Sequence, residues 1–419
     1  MKKILTLLFT LLFIGQLQAA YLLIPMDKTQ SNHLKAYGIA YWMLTRDVKI
    51  DWLLNYRGGS FMVKHLQTVE NECIIRNVSY EMISDAQANQ VLNEIASPSS
   101  NMDVMKLEKY PNIAVYSPKS KQPWDDAVTL VLTYAEIPYD VVFDDEVMYN
   151  ELAKYDWLHL HHEDFTGQYG RFYRSYQHLP WYQEQKREYE ESARKHGFNK
   201  VSQLKLSIVK KIKSYVAGGG FLFAMCSATD TYDIALSAEG VDICERMFDG
   251  DPADPRAQQK LDFTKTFAFE DFKLERNPME YEFSNIDNQP HNRGLREDND
   301  YFTLFEYSAK WDPIPTMLTQ NHERIIKGFM GQTTGFKKKL VKPDVLIMGE
   351  TKSIEEARYI HGVIGKGFFT FYGGHDPEDY THRVGEEPTD LNLHPNSPGY
   401  RLILNNILFP AAKKKKQKT

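Results

Sequence analysis

Three groups of polar residues along the chain could combine into a catalytic site. They are Cys226, the run His-His-Glu-Asp at residues 161–164, and the run His-Asp-Pro-Glu at residues 375–378. An imidazole beside a thiol can accept the thiol proton, and a carboxylate can hold that imidazole in place. The residue types therefore predict nucleophilic chemistry at a cysteine, provided that the fold brings the three groups together.

Specific roles follow from this chemistry. We expect Cys226 to be the nucleophile, His375 the base and Glu378 the carboxylate that orients the imidazole, with Asp376 as the second choice for the last role. A helix predicted after the cysteine would supply backbone N–H groups that stabilise a thiolate or an oxyanion. The alternatives are structural, because a free cysteine is often a small buried hydrophobic residue and His375 could cap a loop.

Five residues between positions 162 and 171 are candidates for binding substrate. His162, Glu163 and Asp164 end a predicted strand, and Tyr169 and Arg171 follow in a stretch rich in aromatic and arginine side chains. Such a stretch can stack on a sugar ring or pair with a carboxylate. The alternatives are a lid that packs on its own aromatic residues, and histidines that simply alternate across a strand.

The same polar residues allow a second interpretation as a metal site. His161, His162, Glu163, His375 and Cys226 are all competent zinc ligands. No spacing such as His-Glu-x-x-His occurs in the chain, so the sequence assigns neither a metal nor a cofactor.

Alternating helices and strands are predicted to position these groups. An amphipathic helix over residues 201–216 leads through three glycines into a buried strand over residues 221–226, and further strands end at the two histidine runs. Helices alternate with strands along the chain, which favours a parallel sheet covered on both faces. We therefore predict an α/β fold with a doubly wound, mostly parallel, flavodoxin-like sheet, whose ligands gather at the carboxyl ends of the strands.

Composition places the chain among folded proteins with a substantial core. It has 419 residues, a net charge of −6, 42% hydrophobic residues and 25% charged residues. No basic face stands out, so the expected partner is a small molecule or a carbohydrate and not a nucleic acid. The three cysteines are Cys73, Cys226 and Cys244. An odd number leaves at least one thiol free, and a disulfide between Cys73 and Cys244 is one open option.

The first residues predict export to the periplasm or secretion. Lys2 and Lys3 precede an apolar run of signal-peptide length, and no later stretch is apolar enough to cross a membrane. An uncleaved N-terminal anchor is the alternative. The expected divisions are a signal peptide (1–20), the first part of an α/β domain (21–239), a partly β insertion (240–335), the closing part of the α/β domain (336–410) and a basic tail (411–419).

The segment around Cys226, taken with residues 365–378, resembles the class I glutamine amidotransferase-like superfamily and its ThuA-like branch. In that superfamily a nucleophilic cysteine lies at the turn between a strand and a helix, and a later His-x-Glu completes the triad. The resemblance implies a hydrolase of a small amide, ester or sugar derivative, with Cys226, His375 and Glu378 in those roles. Residues 224–228 read Ala-Met-Cys-Ser-Ala where the superfamily has Gly-x-Cys-x-Gly. A non-catalytic carbohydrate- or peptide-binding envelope protein and a metal-dependent hydrolase are therefore the alternatives.

The whole chain also resembles exported bacterial proteins that carry the label asparagine synthetase B, through residues 22–26 (Leu-Leu-Ile-Pro-Met) and residues 30–37. The residues do not favour that activity. An N-terminal-nucleophile glutaminase has cysteine directly after the initiator Met, where this chain has Lys2. The Ser-Gly-Gly-x-Asp-Ser loop of an ATP pyrophosphatase does not occur in the sequence either.

Overall fold

Two β-sheets organise the protein. The computed structural model describes residues 20–120, 122–288, 293–312, 319–381 and 383–412. The strands in these residues are β1 (Tyr21–Ile24), β2 (Ile50–Leu54), β3 (Ser60–Lys64), β4 (Glu81–Ile83), β5 (Asp103–Leu107), β6 (Ile113–Tyr116), β7 (Asp140–Val142), β8 (Trp157–Leu160), β9 (Phe221–Met225), β10 (Tyr301–Leu304), β11 (Ile325–Lys327), β12 (Phe336–Lys337), β13 (Leu346–Thr351), β14 (Glu356–Ile364) and β15 (Gly367–Tyr372). The α-helices in these residues are His33–Leu44, Gln67–Ile75, Asp85–Ala96, Ala127–Tyr134, Asp144–Met148, Tyr173–Tyr176, Pro180–Lys195, Val201–Gly218, Ser227–Ser237, Arg246–Asp249, Ala257–Lys260 and Pro398–Leu408.

The first sheet is antiparallel throughout and has the strand order β4-β1-β3-β2-β5. Tyr21 of β1 pairs with Lys64 of β3 on one side and with Ile83 of β4 on the other. Between β2 and β3 the chain reverses through a tight turn, in which Asn55 and Arg57 adopt positive φ angles of 61° and 45°. Because the turn is so short, β3 returns directly beside β2 and must run antiparallel to it.

The second sheet is mixed and carries the candidate site. Its order is β11-β10-β13-β14-β15-β9-β8-β6-β7, and β12 pairs with β14. The strands from β15 to β7 in this order are parallel to one another. Those from β14 to β11 are antiparallel. The carboxyl ends of β8, β9 and β15 therefore lie side by side at one edge of the sheet.

The prediction of one doubly wound, mostly parallel sheet is wrong. Parallel pairing is confined to part of the second sheet, and β1 to β5 form a separate antiparallel sheet. The sequence pattern predicts a loop at residues 55–60 and no strand directly after it, whereas residues 60–64 form β3 and pair with both β1 and β2. Alternation of helices and strands reports where strands are but not which neighbour each strand pairs with, because pairing depends on distant parts of the chain.

The region expected to be an insertion contributes to the second sheet. Its strands β10 and β11 pair with each other, and β10 also pairs with β13. Strand-like alternation of apolar residues predicts strands at residues 263–272 and 280–283 of this region. Residues 263–272 are instead irregular and begin with the 3₁₀ helix Phe263–Lys265. A strand predicted over residues 280–283 leaves only an isolated bridge nearby, between Leu274 and Ser284.

Two successive residues of β9 show that this strand of the second sheet is covered on both faces. Phe223 belongs to a hydrophobic cluster that includes residues of the helix Pro398–Leu408. Leu222 belongs to a different cluster, which includes residues of the helix Val201–Gly218. Successive side chains of a strand point to opposite faces, so β9 is covered on each side. The carboxyl ends of such strands are where a buried sheet can present polar groups to a cavity.

The predicted signal peptide falls almost entirely on residues 1–19, and these lie outside the described residues, as do residues 413–419 of the predicted basic tail. Among the described helices, none combines the length and the apolar character needed to span a membrane. Cys73, Cys226 and Cys244 are all free and buried, so the optional disulfide between Cys73 and Cys244 does not form.

Candidate active site

Cys226 forms a sharp turn between β9 and the helix Ser227–Ser237. Its backbone has φ 49° and ψ −140°, a conformation that a residue with a Cβ atom rarely adopts. Strain of this kind costs on the order of 1–3 kcal/mol and persists only where the surroundings enforce it. The Cys226 N–H donates to the Gly374 carbonyl at 3.1 Å, and the Ala228 N–H donates to the His161 carbonyl at 3.0 Å. Hydrogen bonds to the segments that follow β15 and β8 thus hold the turn in this conformation.

Opposing effects act on the Cys226 thiol. Burial is the larger effect and raises the pKa of the thiol to about 11, although backbone N–H groups of Gln332, Ser227 and Thr333 act to lower it. The negative charge of Asp230 raises the pKa further. The thiol is therefore protonated at neutral pH, and it needs a base before it can attack a substrate.

A cavity of about 1020 Å³ opens beside the turn. Its lining includes Cys226, His162 and His375, so the thiol-bearing residue and two of the predicted imidazoles border the same space. Aromatic and charged side chains make up much of the remaining wall, including Trp124, Arg171, Phe172, Arg174, Tyr176, Glu280, Tyr281, Glu282 and Arg383. A space of this size and lining suits a small organic ligand.

Histidines from two strand ends form a cluster at this edge of the sheet. The rings of His161 and His162 stack with centroids 4.0 Å apart, and the His375 ring lies 4.7 Å and 4.6 Å from them. One ring nitrogen from each of these three residues lies within 4.8 Å of the others. Asp126 adds a carboxylate, with Oδ1 3.3 Å from His161 Nδ1 and Oδ2 3.3 Å from His159 Nε2.

Asp126 anchors this cluster to the helix that follows it. Its Oδ1 accepts backbone N–H bonds from Val128 and Thr129 at 2.8 Å and 2.9 Å, so the side chain caps the helix. Burial acts to raise the pKa of Asp126, but the interactions with His159 and His161 outweigh burial and hold that pKa well below its usual range. The carboxylate is therefore a fixed negative charge beside the imidazoles.

The structure separates Glu378 from the imidazole that the sequence predicts it to orient. Glu378 Oε2 lies 3.1 Å from Nδ1 of His394, and Asp376 accepts a hydrogen bond from a tyrosine hydroxyl at 2.7 Å. Nε2 of His375 lies instead 3.4 Å from Oδ1 of Asp125. The predicted contact of His375 with Glu378, or with Asp376 as second choice, is therefore wrong, because the loop after β15 turns both carboxylates toward other partners.

Asp125 and Asp126 are the site residues that sequence reasoning missed. The sequence predicts a helix over residues 124–135, where acidic residues in the first turn need no further explanation. The helix actually begins at Ala127, which leaves both aspartates before it. The backbone carbonyl oxygen of Asp125 also accepts a hydrogen bond, from Nε2 of His162 at 2.7 Å. Two adjacent aspartates directly before an apolar helix were the available signal.

Two of the five predicted substrate-binding residues, His162 and Arg171, line the large cavity. The Arg171 guanidinium donates to three backbone carbonyls, those of residues 275, 277 and 280. It therefore fixes the cavity wall and has little capacity left for a ligand. Tyr169 is buried, with its hydroxyl 3.5 Å from Glu190 Oε1, and it packs away from Cys226 among other aromatic rings.

The remaining two predicted substrate-binding residues, Glu163 and Asp164, are buried elsewhere. Glu163 lines a second cavity of about 320 Å³, where it accepts a hydrogen bond from the Tyr189 hydroxyl at 3.1 Å and lies 3.7 Å from Lys205 Nζ. Burial raises the pKa of Glu163 to about 7, against the attraction of Lys205. The Asp164 carboxylate accepts backbone N–H bonds from its own loop, at residues 166, 168 and 170. Asp164 therefore holds the conformation of its own loop.

No protein-family model matches the chain, and no curated protein matches it. Two cytoplasmic proteins of Salmonella typhimurium with solved structures are similar over 73% and 72% of this chain and 100% of their own, with sequence identities of 10% and 12% and TM-scores of 0.33 and 0.34. A β-galactosidase from Bacillus circulans sp. alkalophilus is similar over 62% of this chain and 28% of its own, with 10% identity and a TM-score of 0.27. Similarity at this level defines neither a fold nor an activity, so the function must be argued from the site.

Proposed function

We propose that the cavity beside Cys226 is the active site of a hydrolase that cleaves a small amide, ester or acylated sugar, in the manner of amidotransferase-like enzymes. The strained backbone of Cys226, with φ 49° and ψ −140°, carries the proposal. A sharp strand-to-helix turn with a nucleophile at its tip is a recurrent catalytic arrangement. An ordinary buried cysteine requires no such strain, and the surrounding hydrogen bonds enforce it at this position.

Acyl transfer at this site would begin with attack of the Cys226 sulfur on the substrate carbonyl carbon. The thiol proton passes to His375, and the carbonyl oxygen becomes an oxyanion near the backbone N–H groups of Ser227 and Gln332, the same groups that act to lower the pKa of the thiol. The bond to the leaving group then breaks, and that group takes the proton from His375. Water hydrolyses the resulting thioester by the same steps in reverse order, which releases the acid and restores the thiol.

Asp125 takes, in this proposal, the orienting role that the sequence assigns to Glu378. Its carboxylate lies 3.4 Å from His375 Nε2, and its carbonyl oxygen lies 2.7 Å from His162 Nε2. One residue therefore contacts both imidazoles that border the cavity. Because burial raises the pKa of the Cys226 thiol to about 11, the reaction depends on such a positioned base and would be slow without it.

Turnover of a panel of p-nitrophenyl esters, amino-acid amides and acetylated sugars tests the proposal. We expect Cys226→Ala to lower kcat/KM on the best substrate by roughly 10³-fold or more, as removal of a nucleophile does. The matched control is Cys73→Ala, which removes a thiol that is equally buried but lies in the helix Gln67–Ile75, and it should keep wild-type turnover. Undiminished hydrolysis by Cys226→Ala would reject the nucleophile.

A non-catalytic carbohydrate-binding protein is the second candidate, and the aromatic wall of the cavity favours it. Trp124, Phe172, Tyr176 and Tyr281 all line the space, and aromatic faces stack well on sugar rings. Such a protein would bind a sugar with the same affinity before and after the Cys226→Ala change and would turn over none of the panel. Calorimetric titration with the panel sugars separates the two candidates.

Action outside the cytoplasm belongs to the same proposal, because the sequence predicts a signal peptide at residues 1–20. Expression of the full chain, followed by fractionation and N-terminal sequencing, tests it. We expect a mature protein that begins near Tyr21 in the periplasm or the medium. Recovery of the intact N-terminus in the cytoplasm would contradict export.

A further inference from the structure

We propose that His161, His162 and His375 form a binding site for a divalent transition metal ion of the zinc type. One ring nitrogen from each residue lies within 4.8 Å of the other two. Zinc–nitrogen bonds of 2.0–2.1 Å in a tetrahedral site place ligand nitrogens roughly 3.3 Å apart. Binding a common ion would draw these nitrogens together by up to about 1.5 Å and turn the stacked rings of His161 and His162 toward the ion.

The backbone that carries these rings is held in place. His161 and His162 directly follow β8, and His375 follows β15 at the same edge of the sheet. The His161 carbonyl accepts the Ala228 N–H at 3.0 Å, and the His375 N–H donates to the Met330 carbonyl at 2.8 Å. Ligands on such fixed positions suit a metal site, because little conformational freedom is lost when the ion binds.

Each of the three imidazoles has an oxygen acceptor beside one ring nitrogen. His161 Nδ1 lies 3.3 Å from Asp126 Oδ1, His162 Nε2 lies 2.7 Å from the Asp125 carbonyl oxygen, and His375 Nε2 lies 3.4 Å from Asp125 Oδ1. An imidazole that donates from one nitrogen presents a lone pair at the other. Metal-ligating histidines are oriented in this way, by a carboxylate or a carbonyl on the nitrogen that does not bind the metal.

The second nitrogen of His161 gives an independent indication of a ligand. His161 is 1% exposed, and its Nε2 has no hydrogen-bond partner among the described residues. A buried polar atom left in this state destabilises a fold unless something satisfies it. A metal ion shared with His162 and His375 satisfies it directly. His361 Nε2 is also buried and unpartnered, but no group of potential ligands surrounds it among the described residues.

The number of ligands indicates the kind of site. Three protein ligands leave a fourth position for water or substrate, as in catalytic zinc sites and unlike the four-ligand structural ones. His162 and His375 line the large cavity, so an ion on these rings would lie at its wall. Metal binding does not depend on the proposed hydrolase function. The metal site and the proposed hydrolase mechanism both use His375. A ring nitrogen that binds a metal ion cannot accept the Cys226 proton, so His375 can serve only one of the two roles at a time.

Titration of chelator-treated full-length protein with Zn²⁺ and Co²⁺ tests the inference. We expect one ion per chain by calorimetry, together with the visible absorption of tetrahedral Co²⁺. His161→Gln and His162→Gln should each weaken binding by roughly 100-fold or more, and Asp126→Asn by about 10-fold through loss of the orienting carboxylate. The matched control His361→Gln, which removes the isolated buried histidine, should bind as the wild type does.

Three outcomes would overturn the inference. The first is the absence of binding to wild-type protein whose circular dichroism shows it to be folded. The second is unchanged affinity in the histidine variants. The third is loss of binding in Asp249→Asn, which would place the ion on Asp242, Cys244 and Asp249 instead. If His161→Gln does not fold, the half-buried His162 supplies the decisive variant. Cys226→Ala should keep full metal affinity, so failure of the hydrolase proposal remains distinguishable.

Discussion

Two buried polar clusters of the second sheet differ in charge balance and in their access to a cavity. In the first, Arg293 donates to both Asp300 oxygens at 3.0 Å and 2.6 Å and to both Glu356 oxygens at 2.8 Å and 2.9 Å. Arg358 adds a bond to Glu356 at 3.3 Å. All four side chains are 0% exposed. Two positive charges balance two negative ones, and every carboxylate oxygen accepts a hydrogen bond, while Nε of Arg358 is the one group of the four side chains without a partner among the described residues.

The histidine cluster at the ends of β8 and β15 is built differently. His161 Nε2 is buried without a partner in the described part of the chain, and His162 and His375 border a large cavity. The strained Cys226 turn lies against the same strand ends. Each cluster has one unpartnered nitrogen, so what separates them is that the arginine cluster is charge-balanced and fully enclosed, whereas the histidine cluster lies beside a strained turn and borders a cavity. Function should therefore be sought at the histidine cluster.

Removal of Arg293 should give the largest effect. Arg293→Met leaves Asp300 and Glu356 buried without their two-pronged partner, and we expect the free energy of unfolding to fall by about 3–5 kcal/mol. Urea denaturation at neutral pH measures the loss. Arg296→Met is the control, because that side chain is 80% exposed beside Asp298, and it should change stability by less than about 0.5 kcal/mol. A loss below about 1 kcal/mol for Arg293→Met would contradict a structural role for the arginine cluster.

Asp230, near Cys226, should show the next largest effect, as a dependence of stability on pH. Burial raises the pKa of Asp230 from 3.8 to about 7, and the Thr333 hydroxyl donates to it at 2.9 Å. As pH rises above 3.8 the unfolded chain releases this proton while the folded protein retains it, so unfolding becomes easier until the pH passes about 7.

Asp230→Asn keeps the acceptor for Thr333 and removes the titration. Its stability relative to wild type should therefore increase between about pH 4 and pH 7, by on the order of 2–4 kcal/mol at about 1.4 kcal/mol per pKa unit. Glu239→Gln gives the opposite sign at lower pH, because the interactions with Lys210 and Lys265 lower the pKa of Glu239 from 4.5 to about 2. Its stability relative to wild type should decrease as the pH rises from about 2 to about 4.5 and should be flat between about pH 5 and pH 7. A stability difference between Asp230→Asn and wild type that is flat with pH would show that Asp230 is ionised in the folded protein at neutral pH.

The strain at Cys226 predicts a smaller and more local effect. Glycine adopts φ 49° without penalty, whereas alanine does not, so Cys226→Gly should be more stable than Cys226→Ala by about 1 kcal/mol. At Cys73, inside the helix Gln67–Ile75, the order should reverse by a similar amount, since glycine weakens a helix by about 1 kcal/mol relative to alanine. Thermal and urea unfolding of the four variants measure both differences. The same order at both positions would contradict strain at Cys226.

Glu378 should show the smallest effect. Its pair with His394 is partly exposed, with side chains 21% and 36% accessible, so Glu378→Gln should lower stability by less than about 1 kcal/mol and leave turnover unchanged.

Asp125→Asn, the matched change at the other carboxylate, should lower kcat by roughly 10²-fold while the protein stays folded, because it disturbs the imidazole that must accept the proton. Equal losses of kcat in the two variants would return the orienting role to Glu378.

The sequence predicted the local structure around the site well. The buried strand before Cys226, the helix after it and the strands before the two histidine runs all occur. These elements depend on short-range patterns of apolar residues, glycines and helix caps. The sequence also predicts that consecutive strands are neighbours, and β8 and β9 do pair in parallel.

The sequence could not predict features that depend on distant contacts. The antiparallel sheet of β1 to β5 arises from a turn at residues 55–59 and from pairing partners that apolar alternation does not encode. Asp125 was hidden in a stretch that resembles a helix start, and Glu378 was assigned to the wrong imidazole. In both cases the conformation of a loop determines the direction in which a carboxylate points. That conformation depends on the residues packed against the loop rather than on spacing along the chain.

The pairing of β9 with β15 also has a consequence for how the protein folds. β9 and β15 lie far apart in the sequence, so the chain between them must close a long loop before the two strands can pair. Contacts that close such long loops slow folding. We therefore expect Cys226 and His375 to come together only in the last kinetic phase of refolding, so that a chain truncated before β15 would acquire much of its helix content yet remain without a formed reaction centre.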